Sequence, residues 1–260
     1  MRKYYTRACN FYYSTNAKNL IKKKLALPLC GNKNIAFDCI EILSRDKKVK
    51  LINIRNIKNL TNQIKKTVLK DLKKIVSKRK NLNKHSNILK PLIMGILNLT
   101  PDSFSDGGLY VNSKKAFSHI NNMIAKGADI IDIGGESTRP GSKEIPHKIE
   151  WKRLEKIISN FKKKFPKIFL SIDTRKSEVM LKAIKYKSDL INDVSGFNYD
   201  QKAIDKIKNY DVWKVLHHMQ GNPNTMQIKP SYKNVLLDVY DFFEKKINND
   251  FKKFKYKKFI

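Results

Sequence analysis

The sequence contains few acidic residues, cysteines and glycines, and these shortages limit the classes of protein to which it can belong. Among its 260 residues there are three cysteines and ten glycines, and 23 acidic side chains stand against 55 basic ones. Cys9, Cys30 and Cys39 show no CxxC spacing, which argues against a disulfide scaffold or a zinc site and favours reduced thiols in a cytoplasmic protein. With so little glycine and no low-complexity tract, nothing in the composition prevents the chain from folding into a globular domain.

The sequence also has no long apolar segment. No run of apolar residues approaches the length that a membrane span requires. The first residues, MRKYYTRACNFYYST, are basic but have neither the apolar stretch nor the cleavage site of a signal peptide. We therefore expect a cytoplasmic protein without a membrane partner.

The excess of lysine gives a formal net charge of +32, which allows two interpretations. One is a surface that binds nucleic acid or another acidic partner. The other is a lysine-rich coding bias laid over an ordinary fold, and the even scatter of lysines along the chain favours it. Nucleic acid is therefore not an expected partner, although a positive field would attract anionic substrates. Lysines clustered on one face, without a formed active site, would favour a basic interaction protein instead.

Residues 1–90 predict an N-terminal accessory segment without catalytic motifs. Ile35–Leu43 and Lys48–Ile54 have the pattern of two strands, and Leu60–Val76 carries apolar residues at helical spacing. Residues 81–90 are predicted to be a linker. A second domain is expected over residues 91–260.

The second domain alternates strand-like and amphipathic segments, which predicts an α/β fold with parallel strands. The five predicted strands are Leu92–Leu97, Asp129–Ile133, Ile168–Ile172, Leu190–Ile191 and Val212–Leu216. Both a doubly wound sheet and a βα barrel fit this alternation. Polar residues follow all five strands, and in a barrel the carboxyl ends of all strands meet at one mouth. This favours a (β/α)8 TIM barrel, of which about five βα units are present.

Five polar motifs occur at the predicted strand ends: NLTPDSFSDGG (98–108), IDIGGESTRPGS (131–142), SIDTRKSEV (171–179), INDVSGF (191–197) and HMQGNPNTMQ (218–227). Asn98 offers an uncharged oxygen, a ligand that suits Mg²⁺. Asp173 could accept paired N–H donors, although an aspartate here is also a common helix N-cap. The amide of Asn192 can both donate and accept.

Together these motifs resemble the dihydropteroate synthase family of TIM-barrel enzymes, over roughly residues 91–260. The resemblance implies a transferase of folate biosynthesis. Such an enzyme condenses 4-aminobenzoate with (7,8-dihydropterin-6-yl)methyl diphosphate, giving 7,8-dihydropteroate and diphosphate. It also implies Mg²⁺ as cofactor, these two small molecules as partners, and a homodimer for a complete chain.

The resemblance implies two groups of site residues. For the diphosphate and the pterin, the positions that match the family are Asn98 as the Mg²⁺ ligand, Thr138 at the phosphates, and Asp173 and Asn192 at the pterin. For the aminobenzoate and the closed catalytic site, they are Phe104 and Pro140 beside the aminobenzoate, and Asp106 and Arg139 as catalytic residues. His217 stands where the family usually has a methionine.

The later motifs of the family are absent, because the sixth strand is predicted to begin near Phe259. The resemblance is therefore to an incomplete synthase, and we expect little or no turnover from these 260 residues alone. A pterin-binding methyltransferase domain is the alternative enzyme, since Asp173 and Asn192 would suit it too. It would not need both the TPDSFSDGG and the ESTRPG motifs.

Overall fold

The computed structural model describes residues 3–79, 82, 91–100, 111–137, 143–221, 225–226 and 228–260. The chain divides into two compact units, residues 1–81 and 82–260, so that the division falls at the start of the predicted linker. Within these described ranges, no helix is both long and apolar enough to cross a membrane.

The described part of the first unit is an antiparallel sheet with two α-helices and a 3₁₀ helix (Ile54–Asn59). Its strands are β1 (Tyr5–Tyr13), β2 (Leu27–Leu29), β3 (Asn32–Ser44) and β4 (Lys47–Asn53), and its helices are α1 (Ser14–Lys22) and α2 (Asn62–Val76). Strand β3 pairs with all three other strands. The two predicted strands and the predicted helix are confirmed as β3, β4 and α2. Elements β1, α1 and β2 were not predicted from the sequence.

In its described residues, the second unit contains five parallel strands, each followed by a helix. The strands are β5 (Met94–Asn98), β6 (Ile130–Gly134), β7 (Phe169–Asp173), β8 (Leu190–Asn192) and β9 (Trp213–Lys214). The helices are α3 (Val111–Ala125), α4 (His147–Lys164), α5 (Ser177–Lys185), α6 (Ala203–Ile207) and α7 (Val235–Asn249). All five predicted strands are confirmed, with shifted ends.

The order of these strands in the sheet is β5-β6-β7-β8-β9, the same as their order in the chain. A doubly wound sheet reverses its strand order at a switch point, whereas a βα barrel keeps the order of the chain. The parallel sheet extends beyond β9, because Phe259 forms a parallel bridge with Lys214. This is where the sixth strand was predicted. The fold is therefore the predicted α/β barrel arrangement.

The two faces of the parallel sheet carry different side chains, because residues alternate along a strand. Ile131, Ile133 and Ile172 are fully buried in the large core that the helices share. The opposite, inward face carries Ile130 and Phe169, which pack with other apolar residues at the amino end of the strands. Asp132, Gly134 and Asp173 alternate with the helix-facing residues, so this inward face also presents the polar groups.

Candidate functional site

A single row of residues crosses four strands at their carboxyl ends. In the register of the sheet, Asn98 lies opposite Gly134, Gly134 opposite Asp173, and Asp173 opposite Asn192. Residues at one level of neighbouring strands point to the same face of a sheet. The structure therefore brings Asn98, Asp173 and Asn192 together on the inward face, as expected from the polar residues at the strand ends.

Gly134 lets two of these side chains approach the backbone of β6 closely. A Cβ atom at this position would lie 3.3 Å from Asp173 Oδ2 and 3.4 Å from Asn98 Oδ1. Both oxygens therefore lie directly beside the glycine, where any larger residue would crowd them. From the sequence, Gly134 was expected only as part of a polar strand end. The pair of glycines at the end of a buried strand was the signal for a close approach.

The carboxyl group of Asp173 lies in a strongly acidic environment. Burial, followed by the charges of Asp132, Glu150, Asp193 and Glu136, raises the pKa of Asp173 to about 8. At neutral pH the side chain therefore largely holds a proton when no ligand is present. A ligand that brings N–H donors to the carboxyl group would favour its ionised form.

A second polar pair, which was not predicted from the sequence, lies one level deeper in the sheet. Asp132 is 3% exposed and Ser171 is fully buried, and they lie opposite each other on β6 and β7. Ser171 Oγ donates to Asp132 Oδ1, and Asn192 Nδ2 donates to Asp132 Oδ2 at 3.0 Å. Burial raises the pKa of Asp132, although these two hydrogen bonds act in the opposite direction.

A network of ion pairs joins the loops that follow β6 and β7. Arg175 Nε donates to Glu136 Oε2 at 2.9 Å, and Lys176 Nζ lies 2.8 Å from both Glu136 Oε1 and Glu150 Oε2. Burial alone would raise the pKa of Glu136, but its hydrogen bonds with Arg175 and Lys176 lower it. Glu136 Oε1 also accepts from the backbone N–H of Ile145 at 3.1 Å. This carboxylate therefore ties together the two ends of the segment between residues 136 and 145.

Asp193, the neighbour of Asn192, shapes the turn after β8. Its carboxylate accepts from Ser195 N at 2.8 Å, Ser195 Oγ at 2.7 Å and Phe197 N at 3.0 Å. Phe197 has a φ of 65°, which few residues other than glycine adopt, and these hydrogen bonds help to hold it there. The side chain of Asp193 is thus occupied with the local fold.

His217 is half-buried, and burial, together with the neighbouring His218, lowers its pKa. His218 packs edge-on against Phe242, with ring centroids 4.7 Å apart. Five other predicted site residues lie outside the described residues: Phe104, Asp106, Thr138, Arg139 and Pro140. Their roles stay predictions.

The amide oxygen of Asn98, which lies beside Gly134, is a suitable ligand for a hard cation. In proteins Mg²⁺ takes one or two oxygen ligands from side chains and completes its shell with waters and phosphate oxygens. No cluster of three or more histidine, cysteine or acidic side chains that could hold a metal ion occurs in the described part of the chain. The oxygen of Asn98 thus fits a magnesium ion that takes its other ligands from water or phosphate.

Comparison with known proteins identifies relatives of this second unit. The family model described as pterin binding enzyme matches residues 94–253. The dihydropteroate synthase of Haemophilus influenzae is 40% identical over 166 residues, which are 64% of this chain and 60% of the relative. The enzyme of the same name from Neisseria meningitidis serogroup B is 44% identical over 153 residues, 58% of this chain and 53% of the relative.

Solved structures agree with these matches. A dihydropteroate synthase from Clostridium difficile, determined in the presence of pteroic acid, has a TM-score of 0.58 and 37% identity. The match covers 65% of this chain and 62% of that chain. The Burkholderia cenocepacia enzyme, complexed with 7,8-dihydropteroate, has a TM-score of 0.54 and 37% identity over 64% of this chain and 55% of that chain.

The relatives named above are dihydropteroate synthases, so the methyltransferase and basic-interaction alternatives are not favoured. The chain spans 53–60% of the length of the two curated relatives. The family model covers more than half of the chain, including the four-strand row and the loops after it. The chain therefore belongs to the pterin-binding enzyme family.

Proposed function

We propose that this protein acts in folate biosynthesis as a dihydropteroate synthase. The reaction joins 4-aminobenzoate to (7,8-dihydropterin-6-yl)methyl diphosphate and releases diphosphate. The observation that carries the proposal is the row Asn98–Gly134–Asp173–Asn192, which brings three oxygen-bearing side chains to one level at the carboxyl ends of parallel strands. This is the position of the active site in βα barrels.

Asp173 and Asn192 are the proposed pterin ligands. A pterin ring presents N–H donors on one edge, and an ionised carboxylate binds such donors with short, charge-assisted hydrogen bonds. Because the pKa of Asp173 is raised to about 8, binding of the ring near pH 7 would release the proton of Asp173. We therefore expect pterin affinity to increase as the pH rises from about 6 to about 8.

Asn98 is the proposed protein ligand of Mg²⁺. The bound ion would stabilise negative charge on the diphosphate leaving group. We assign the phosphate contact of Thr138, the aminobenzoate contacts of Phe104 and Pro140, and the catalytic roles of Asp106 and Arg139 to the same proposal. A homodimer and a cytoplasmic setting also belong to it, and the three cysteines, which are all free thiols, suit that setting.

The test is binding of the pterin diphosphate to this chain, measured by calorimetry at fixed Mg²⁺. Asp173→Asn removes a charge and points a donor at the N–H groups of the ring, so we expect a loss of affinity of roughly 30- to 1,000-fold. Asp189→Asn is the matched control, because Asp189 precedes β8 at the opposite end of the strands and pairs with Lys162. We expect that variant to bind like wild type. No binding by wild type, or equal affinities for all three proteins, would contradict the proposal.

A further inference from the structure

Asp132 is the buried acid that the proposed chemistry leaves unused. It lies on β6 two residues before Gly134, so its side chain faces the same inward side as the site, one level below it. Its neighbour across the sheet at that level is Ser171. At 3% exposure, the carboxyl group has almost no access to water.

The contact between Asp132 and Asn192 determines which way the amide faces. Asn192 Nδ2 lies 3.0 Å from Asp132 Oδ2, and Ser171 Oγ donates to the other oxygen of the same carboxyl group. A carboxylate can only accept hydrogen bonds, whereas an amide has one donating and one accepting end. Asn192 must therefore turn its NH₂ group towards Asp132. No described residue donates a hydrogen bond to Asn192 Oδ1, which leaves that oxygen for a ligand.

We propose that Asp132 is a positioning residue that makes Asn192 a hydrogen-bond acceptor in the site. With Asn192 held in this orientation and Asp173 ionised, both side chains turn an oxygen towards the ligand, and the NH₂ group of Asn192 is turned towards Asp132. These two acceptor oxygens favour a ring edge that carries several N–H groups, such as that of a 2-amino-4-oxo pteridine. They disfavour the 2,4-dioxo counterpart, in which an oxygen replaces the amino group, because two acceptors would then face each other. The inference rests on the proposed function for the identity of the ligand.

Asp132→Asn tests this positioning with a side chain of nearly the same size. The new amide can present either its oxygen or its NH₂ group to Asn192, so the Asn192 amide is free to turn over. We expect the preference of the protein for the 2-amino-4-oxo ring over the 2,4-dioxo ring to fall about tenfold, because one acceptor is no longer enforced. Both rings would be titrated as 6-hydroxymethyl-7,8-dihydro compounds, at a pH above 8.

Ser171→Ala is the matched control. It removes the other hydrogen bond of Asp132 and leaves the contact between Asp132 and Asn192 in place. We expect the preference between the two rings to stay within about twofold of wild type. Equal loss of preference in both variants would show a general disturbance of the buried layer and would overturn the positioning role.

A second measurement needs no ligand. In ¹⁵N-labelled protein, the side-chain NH₂ signals of Asn192, assigned by comparison with Asn192→Asp, should exchange slowly with water in wild type. They should exchange at least tenfold faster in Asp132→Asn. If wild type binds neither ring, the proposed function fails, and this exchange rate alone decides the positioning role. The positioning role is overturned if the exchange rate in Asp132→Asn equals that of wild type. It is also overturned if wild type binds the rings and Asp132→Asn keeps the same preference between them. If Asp132→Asn does not fold, Asp132→Ser takes its place with the same expected outcomes.

Discussion

Asp173→Asn should stabilise the folded protein, and the gain should increase with pH. The pKa of Asp173 is raised from 3.8 to about 8, first by burial and then by the surrounding carboxylates. Between these two values the unfolded chain loses the proton of Asp173 while the folded chain keeps it. The free energy of unfolding therefore falls as the pH rises through this range, and above about pH 8 the loss is complete. Asparagine carries no charge at any of these pH values and avoids the cost.

The size of the effect follows from the pKa difference of Asp173. Each pKa unit corresponds to about 1.4 kcal/mol, so a shift of about four units sets an upper limit on the order of 5 kcal/mol. The acidic neighbours share this cost, because any of them can take up a proton in place of Asp173. We therefore expect the variant to gain about 1 kcal/mol at pH 5 and about 2–4 kcal/mol at pH 8.

Urea unfolding of wild type and variant at four pH values between 5 and 8 measures these differences directly. Asp205→Asn is the control of opposite sign, because a hydrogen bond from Lys208 lowers the pKa of Asp205. That exposed carboxylate favours the folded state above its unfolded pKa, so its replacement should slightly destabilise the protein at pH 5 and above. A difference between wild type and Asp173→Asn that does not change with pH would refute the reasoning.

Three further substitutions, one of them with a control variant, test other contacts of the second unit. Gly134→Ala places a methyl group among the site oxygens, so calorimetry should show that binding of the pterin diphosphate is abolished. In urea unfolding, the free energy of unfolding should change by less than about 1 kcal/mol. Lys176→Met removes the ammonium between two buried glutamates and should cost about 3–5 kcal/mol in urea, whereas Lys206→Met, in a more exposed pair, should cost less than about 1 kcal/mol. Burial lowers the pKa of Lys214 to about 8, so Lys214→Met should be more stable than wild type at pH 7. This gain in the free energy of unfolding should shrink between pH 8 and pH 10, because the folded wild type loses the proton of Lys214 there. A gain that stays constant over this range would contradict the burial argument.

The parallel sheet was predictable because each of its strands is a short apolar run followed by a polar group. The ends of β5, β7 and β8 could be located at Asn98, Asp173 and Asn192 for that reason. Strand β1 was not predictable in the same way, because polar and apolar residues are mixed along YTRACNFYY and its burial does not alternate. Its Asn10 has a φ of 56°, which interrupts the regular pleat of the strand.

The site was predictable as a set of strand ends, but its inner contacts were not. Asp132 and Asn192 are separated by 60 residues in the chain, and their hydrogen bond depends on the register of three strands. The ion pair between Lys176 and Glu150 depends on how α4 packs beside the loop after β7. No local pattern of sequence contains such information, because register and helix packing are set by the whole sheet.

The arrangement of strand pairs determines the order in which the two units can form during synthesis. In the first unit every strand pairs within residues 1–81, and all of these pairs are antiparallel. Strand β5 has to wait for β6, since Met94 pairs with Ile130 and the intervening helix must be made first. The first unit can therefore be complete while β5 is still alone at the ribosome. During that interval the backbone edges of β5 are unpaired and its apolar inward face, where Ile96 stays 61% exposed even in the folded chain, is uncovered, so this is the segment most prone to aggregate.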